Sequence, residues 1–364
     1  MVNSYSTTDI AVSTFEQQAP QGRASWARGS RRGRRSGRRV ATLLGAATLL
    51  AGAALLQHRK TRQAEEDWPP AGRFIRVDGV RLHYVDRGEG RPVLFLHGNG
   101  ASIEDFEASG LLARAAGKYR VIAIDRPGFG HSDRPRATNW TPTAQAELIH
   151  KAISGLGVER PIVVGHSWGT MVALAFALDH PEDVAALVLL SGYYFPTVRA
   201  DVPLLSPPAI PVIGDVMRHT VSPWLGRLIA PALIRRIFAP APVSESFADF
   251  PIELSLRPSQ IRAAAGDTAL MVPAAAALSQ RYGEIDVPTV IVAGSGDKIA
   301  DFGRQSRHLA RAIKDSELNE LPGIGHMIHH SAPDRVMAAI DRAVELADER
   351  LAPAAAPQLV EAPA

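Results

Sequence analysis

The chain has no cysteine in 364 residues. That excludes disulfides and thiol catalysis, and it leaves the compartment open. There is also no H-E-x-x-H pair, no P-loop and no G-x-G-x-x-G after a strand, so neither a metal nor a nucleotide cofactor is expected. No internal repeat is evident. The formal net charge of +3 is unevenly spread: residues 1–62 hold 11 Lys and Arg against two acids, which leaves 29 against 35 in the rest. The rest of the chain is therefore mildly acidic, and the basic balance of the tail does not speak for nucleic-acid binding.

What is present centres on Gly165-His166-Ser167-Trp168-Gly169, preceded by the apolar run Pro161-Ile162-Val163-Val164 and followed by the helix-like stretch Met171 to Leu178. A strand, a tight turn and a helix meet at a serine. In that setting Gly165 and Gly169 remove side chains that would collide, and the Ser167 hydroxyl is held out as a nucleophile. With 30 glycines in the chain, such a pentapeptide could also arise by chance in a turn. Three further pieces at the ends of expected strands weigh against chance.

Upstream, Pro92-Val93-Leu94-Phe95-Leu96 runs into His97-Gly98-Asn99-Gly100, where glycines let backbone amides face a ligand. An oxyanion hole would take one N–H from Trp168, after the nucleophile, and one from Asn99. His97 is read as structural, buried and bonded to backbone. Downstream, Pro288 to Gly294 is a continuous apolar run of the buried-strand kind, and it ends in Ser295-Gly296-Asp297. Leu321-Pro322-Gly323-Ile324-Gly325 then precedes His326. The order Ser167, Asp297, His326 is nucleophile, acid, base. Asp301 rivals Asp297 as the acid. His329 and His330 fall in what reads as the next helix, His131 belongs to another loop, and His166 packs beside the nucleophile.

These motifs resemble the α/β-hydrolase superfamily, in the group with a lid between the sixth and seventh strands, from about Arg73 to about Leu346. The loop Asp125-Arg126-Pro127-Gly128-Phe129-Gly130-His131-Ser132-Asp133 resembles the family's loop after the fourth strand, which shapes the floor near the oxyanion hole. Around His97 to Asn99 and at Trp168 the chain is similar to epoxide hydrolases and haloalkane dehalogenases. Those use an aspartate nucleophile for alkyl-enzyme chemistry, whereas Ser167 suits attack on acyl carbonyls.

The resemblance and the pattern of elements imply an α/β fold, with a mostly parallel eight-stranded sheet and helices on both faces. A hairpin at Asp78-Gly79 joins Phe74 to Val77 and Val80 to Val85. Strands are then expected at Val93 to Leu96, Val121 to Ile124, Ile162 to Val164, Ala186 to Leu190, Thr289 to Val292 and Leu318 to Leu321. Helices are expected near Ile103 to Ala116, Thr143 to Gly155, Trp168 to Leu178 and Ser306 to Ala312. The alternation stops over 193–285, which is rich in proline and reads as a helical cap between the core segments 71–192 and 286–350. Tyr193, Tyr194, Phe195, Trp224, Leu225, Phe238 and Phe247 either line an apolar pocket there or pack the cap's own core.

Residues 1–39 form a basic tail with eight arginines from Arg23 to Arg39, followed by the uncharged run Val40 to Leu56. At about 1.5 Å per residue that run is slightly short of a bilayer core yet within the range of spans. It reads as an uncleaved anchor over 40–57, with a linker at 58–70; a cleaved signal is the alternative. The excess of arginine before the span puts the N-terminus in the cytoplasm and the catalytic domain on the far side, the periplasm in a Gram-negative cell. Residues 351–364 are Ala/Pro-rich and read as a disordered tail. The function expected is a membrane-anchored serine hydrolase of carboxylic esters, or less readily amides or lactones, working on small molecules without a cofactor. The same triad could instead serve cofactor-free perhydrolysis or C–C bond hydrolysis. A non-catalytic protein of this fold binding a ligand or partner is the third reading.

Overall fold

The computed structural model describes residues 29–351, with side chains from Arg38 onward. Most of the basic tail and of the Ala/Pro tail lies outside these residues. Helix α1 (Gly29–Asp67) contains the apolar run, and Leu43, Leu44 and Leu49 on it are exposed. The described residues from Gly52 onward form one compact unit.

In that unit eight strands follow the sequence expectation closely: β1 (Arg73–Val77), β2 (Val80–Arg87), β3 (Pro92–Leu96), β4 (Arg120–Ile124), β5 (Ile162–His166), β6 (Ala186–Leu190), β7 (Thr289–Gly294) and β8 (Ser316–Leu321). They make one sheet in the order β1-β2-β4-β3-β5-β6-β7-β8. The hairpin is antiparallel and β2 runs antiparallel to β4, while every later pairing is parallel. The central strands read as unbroken apolar runs because both of their faces are covered. Alternate residues of β3 go to opposite sides, Leu94 and Leu96 to one core and Val93 and Phe95 to the other.

The covering helices are α2 (Ile103–Ala108), α3 (Leu111–Ala116), α4 (Pro142–Gly155), α5 (Gly169–Asp179), then α6 (Asp201–Leu205), α7 (Ile213–His219), α8 (Ser222–Phe238), α9 (Ile252–Ser255) and α10 (Pro258–Leu278) of the cap, and finally α11 (Ser306–Ala312), α12 (Ile328–Ser331) and α13 (Pro333–Leu351). Every residue of α5 from Gly169 to Leu178 is buried, which is why its sequence has no polar face.

Two expectations need correction. The single helix over Ile103 to Ala116 is two, because Gly110 takes a left-handed φ of 73° between them. His329 and His330 do fall in the next helix, α12, which is parted from α13 before Pro333, where Ala332 leaves the helical region as a residue preceding proline does. The stretch 58–70 is helical as far as Asp67 and packs on the domain, so it is not a free linker. Among the described residues two helices, Arg38–Asp67 and α10, are long and apolar enough to cross a membrane by length and composition. Of these α10 carries the fully buried Asp267, salt-bridged inside the domain.

Candidate active site

Strand β5 delivers the serine. It is paired on both edges, and at Ser167 the backbone turns to a φ of 52°. For a residue other than glycine that conformation costs on the order of 1–3 kcal/mol. Room for the turn depends on absent side chains. A Cβ on Gly165 would stand 2.8 Å from the Gly169 carbonyl, and one on Gly169 would strike the Leu96 and His97 carbonyls. The Ser167 amide donates to the Leu190 carbonyl at 2.9 Å, and the Thr170 hydroxyl donates to the Ser167 carbonyl at 2.6 Å. Both ends of the strained residue are thereby held.

Asp297 and His326 come from the ends of the next two strands. One carboxylate oxygen of Asp297 accepts from the Ile299 and Ala300 amides at 2.7 and 3.0 Å, which fixes the group. The other lies 2.7 Å from His326 Nδ1. His326 Nε2 is 2.8 Å from Ser167 Oγ. With Nδ1–H donating to Asp297, Nε2 is left as the acceptor for the serine proton. The rival Asp301 caps the Arg304 amide at 2.8 Å and stays in an exposed turn.

Neither the Asn99 amide nor the Trp168 amide takes part in a backbone hydrogen bond of the turns and loops among the described residues. The direction of the Asn99 amide is set through its own peptide. Arg126 Nη2 donates to the Gly98 carbonyl at 2.9 Å, and in a trans peptide the following N–H points the opposite way. A Cβ at Gly98 would lie 3.1 Å from the Ser167 Cβ, so the loop passes directly over the serine. His97 is structural: its Nε2 accepts from the Arg126 amide at 3.0 Å, and burial, aided by Arg126, lowers its pKa to about 3.

The stretch 91–237 matches the family model for the alpha/beta hydrolase fold. Haloalkane dehalogenase 2 of Mycobacterium tuberculosis is 27% identical over 281 residues, 75% of this chain and 94% of that protein. A 2-hydroxymuconate semialdehyde hydrolase of Pseudomonas putida is 36% identical over 135 residues, 36% of this chain and 48% of its own length. A thermophilic esterase from Thermogutta terrifontis superposes with a TM-score of 0.62 at 23% identity, over 76% of this chain and 99% of that one.

The chain belongs to the α/β-hydrolase superfamily.

It is a hydrolase of that family. Several residues that build the site of this α/β-hydrolase escape a reading of the sequence. Asp267 on α10 is salt-bridged to Arg126 at 2.7 Å, both fully buried, and Gln145 joins them through Arg126 Nη1 at 2.9 Å. The Trp168 indole donates to the Asp267 carbonyl at 3.0 Å and lies beneath the Arg126 guanidinium. The Asn99 side chain donates to Thr268 Oγ1 at 2.9 Å. Arg126 stands inside a recognisable loop, but its partner lies 141 residues on, and no local signal links the two.

Behind His326 lies a second buried network. His166 Nε2 donates to the His326 carbonyl at 3.1 Å, and the two oxygens of Asp105 accept from His329 and His330 at 3.1 and 3.0 Å. Burial acts to raise the Asp105 carboxyl, yet His329 and His330 outweigh it and hold the group well below its usual range. Burial lowers the pKa of both His166 and His329. Asp105, His166 and His329 present donor atoms within 4.8 Å of one another, but both Asp105 oxygens are already used, so the trio is better described as a hydrogen-bond network than as a metal cage.

The cap aromatics mostly pack rather than line. Tyr193 and Tyr194 belong to the main core, Phe195 stacks on His308, and Phe238 and Phe247 form a small cluster with Met327. Trp224 and Leu225 are exposed. A cleft of about 490 Å³, whose wall does not include Ser167, is lined by Glu65, Arg81, His131, Arg134, Arg257 and Arg262 among others.

Proposed function

We propose that this α/β-hydrolase cleaves carboxylic esters of apolar small molecules through an acyl-enzyme, with Ser167 as nucleophile. The observation that carries the reading is the chain of contacts from Ser167 Oγ to His326 Nε2 at 2.8 Å and from His326 Nδ1 to Asp297 at 2.7 Å. Ser167 Oγ attacks the acyl carbon while its proton passes to His326 Nε2, and Asp297 stabilises the imidazolium. The carbonyl oxygen becomes an oxyanion facing the Asn99 and Trp168 amides. His326 then returns the proton to the departing alkoxide. Water attacks the acyl-enzyme with His326 again as base, and the acid leaves. The route uses no metal or organic cofactor.

The run 40–57 serves as an anchor, with the N-terminus in the cytoplasm and the catalytic domain on the far side. Aryl esters of increasing acyl length test the chemistry. Turnover with a burst of one alcohol per protein supports the acyl-enzyme, and no turnover of any ester by the folded protein contradicts it.

C–C bond hydrolysis is a second reading, favoured by the 36% identity to the semialdehyde hydrolase over 135 residues. Turnover of a vinylogous diketone far above that of aryl esters would select it. Peroxide-dependent halogenation that outpaces ester cleavage would select perhydrolysis in the same way.

A further inference from the structure

Helix α8 has a side that does not suit water. Val221, at its N-cap, and Trp224, Leu225, Leu228, Ile229 and Leu233 recur at spacings of three and four residues, the periodicity that normally turns a helix toward a core. All six are exposed, Leu228 to 78%. On the neighbouring α7, Ile213 and Val216 are exposed to 60% and 52%. A contiguous apolar face of this kind marks a contact surface. The charged residues of α8 itself are Arg227, Arg235 and Arg236, all of them cations.

The two ends of α8 are fixed in ways that bear on what this face meets. Gln57 is the residue after Leu56, the last of the apolar run. It is buried in the domain; its side-chain nitrogen donates to the Leu256 carbonyl at 3.1 Å, and its oxygen accepts from Arg227 at 3.2 Å. Arg227 also pairs with Glu253, and two turns further along α1 Glu65 pairs with Arg257 at 3.0 Å. At the other end, the Ile237 carbonyl accepts from the His326 amide at 2.9 Å. Ten residues of helix, about 15 Å, therefore join the point where the apolar run meets the domain to the residue read as the base.

We propose that the α7–α8 face docks into the headgroup–acyl boundary of the bilayer that residues 40–57 enter, and that the site draws its ester from that layer. The proposal rests on the readings of 40–57 as an anchor and of Ser167 as the nucleophile. The apolar residues enter the acyl boundary, and Arg235 and Arg236 meet anionic headgroups, as in helices that lie in a membrane surface.

The absence of cysteine makes the test direct. The full chain carrying Leu228→Cys, labelled with a nitroxide, is reconstituted into vesicles of phosphatidylcholine and phosphatidylglycerol. Glu89→Cys, in the exposed β2–β3 loop, is the aqueous control. Flotation after a carbonate wash reads the anchor separately. The docked face predicts a label at 228 that meets dissolved oxygen and is shielded from a water-soluble nickel chelate, with the reverse at 89. If the protein floats but the label at 228 is as open to the chelate as that at 89, docking is wrong and the anchor stands. Shielding from both reagents means that protein, such as a second copy of the chain, covers the face, and that also overturns the proposal. Failure to float removes the anchor and the docking together. Leu225→Asp combined with Leu228→Asp is expected to slow cleavage of a vesicle-dissolved long-chain ester several-fold and to leave a water-soluble aryl ester unaffected; equal losses on both would refute supply from the bilayer.

Discussion

The Arg126 guanidinium and the Asp267 carboxylate meet at 2.7 Å, out of reach of solvent. The pair fastens cap helix α10 to the loop that sets the Gly98-Asn99 peptide, so the cap and that loop are one construction. Removing one partner strands the other charge in a buried site, which typically costs about 3–5 kcal/mol. Asp267→Ala is accordingly expected to destabilise the protein by about that amount in urea unfolding. Arg126→Met with Asp267→Leu should not recover the turnover, because the Gly98 carbonyl has still lost a donor and Arg134 has lost its partner Asp267 as well.

Asp297 and Asp301 separate cleanly. Asp297→Asn removes the acceptor that selects the His326 tautomer, and a loss of about 10³–10⁴ in kcat is expected. Asp301→Asn changes only an exposed turn and should leave kcat within about twofold. Steady-state rates on one aryl ester check both.

Glu104 gives the fold a pH dependence. Burial first, and the nearby Asp125 charge second, raise its carboxyl from 4.5 to about 7. The folded state thus holds a proton that the unfolded chain releases earlier. The stability so gained is complete below about pH 4.5 and is lost as pH rises through about 7. Urea midpoints should fall between about pH 5 and 8, and Glu104→Gln should flatten that slope.

The place where the chain is cut matters. Removal of residues 1–51 leaves the compact unit with Gln57 and Glu65 in position, and it is expected to retain stability and aryl-esterase activity. Removal of 1–62 also takes away Gln57, which leaves Arg227 and the Leu256 carbonyl without that partner. A lower melting temperature for the shorter protein is the expected result.

The sheet was legible because its central strands are short apolar runs between turn residues, and the proposed triad because each member follows the end of a strand. Ser167, Asp297 and His326 depend on local signals of that kind. Asp267 does not, since it sits in an alanine-rich helix with nothing nearby to mark it, and its meaning comes from an arginine far off in the chain. The cap could be read only as a break in alternation. Within it, Leu254 and Leu228 are the same residue type, yet one is fully buried and the other almost bare. Periodicity identifies an apolar face but not whether anything covers it. The helical stretch beyond Gln57 was not legible either, because the polar residues after the apolar run resemble a linker until their partners on the cap are seen.

Labelling with a fluorophosphonate probe, which reacts only with activated serines, tests the central claim most directly. The full-length protein in mild detergent should be labelled at Ser167, and Ser167→Ala should stay unlabelled while keeping its fold. An unlabelled but folded parent, or equal labelling of the variant, would contradict the assignment of Ser167 as the nucleophile.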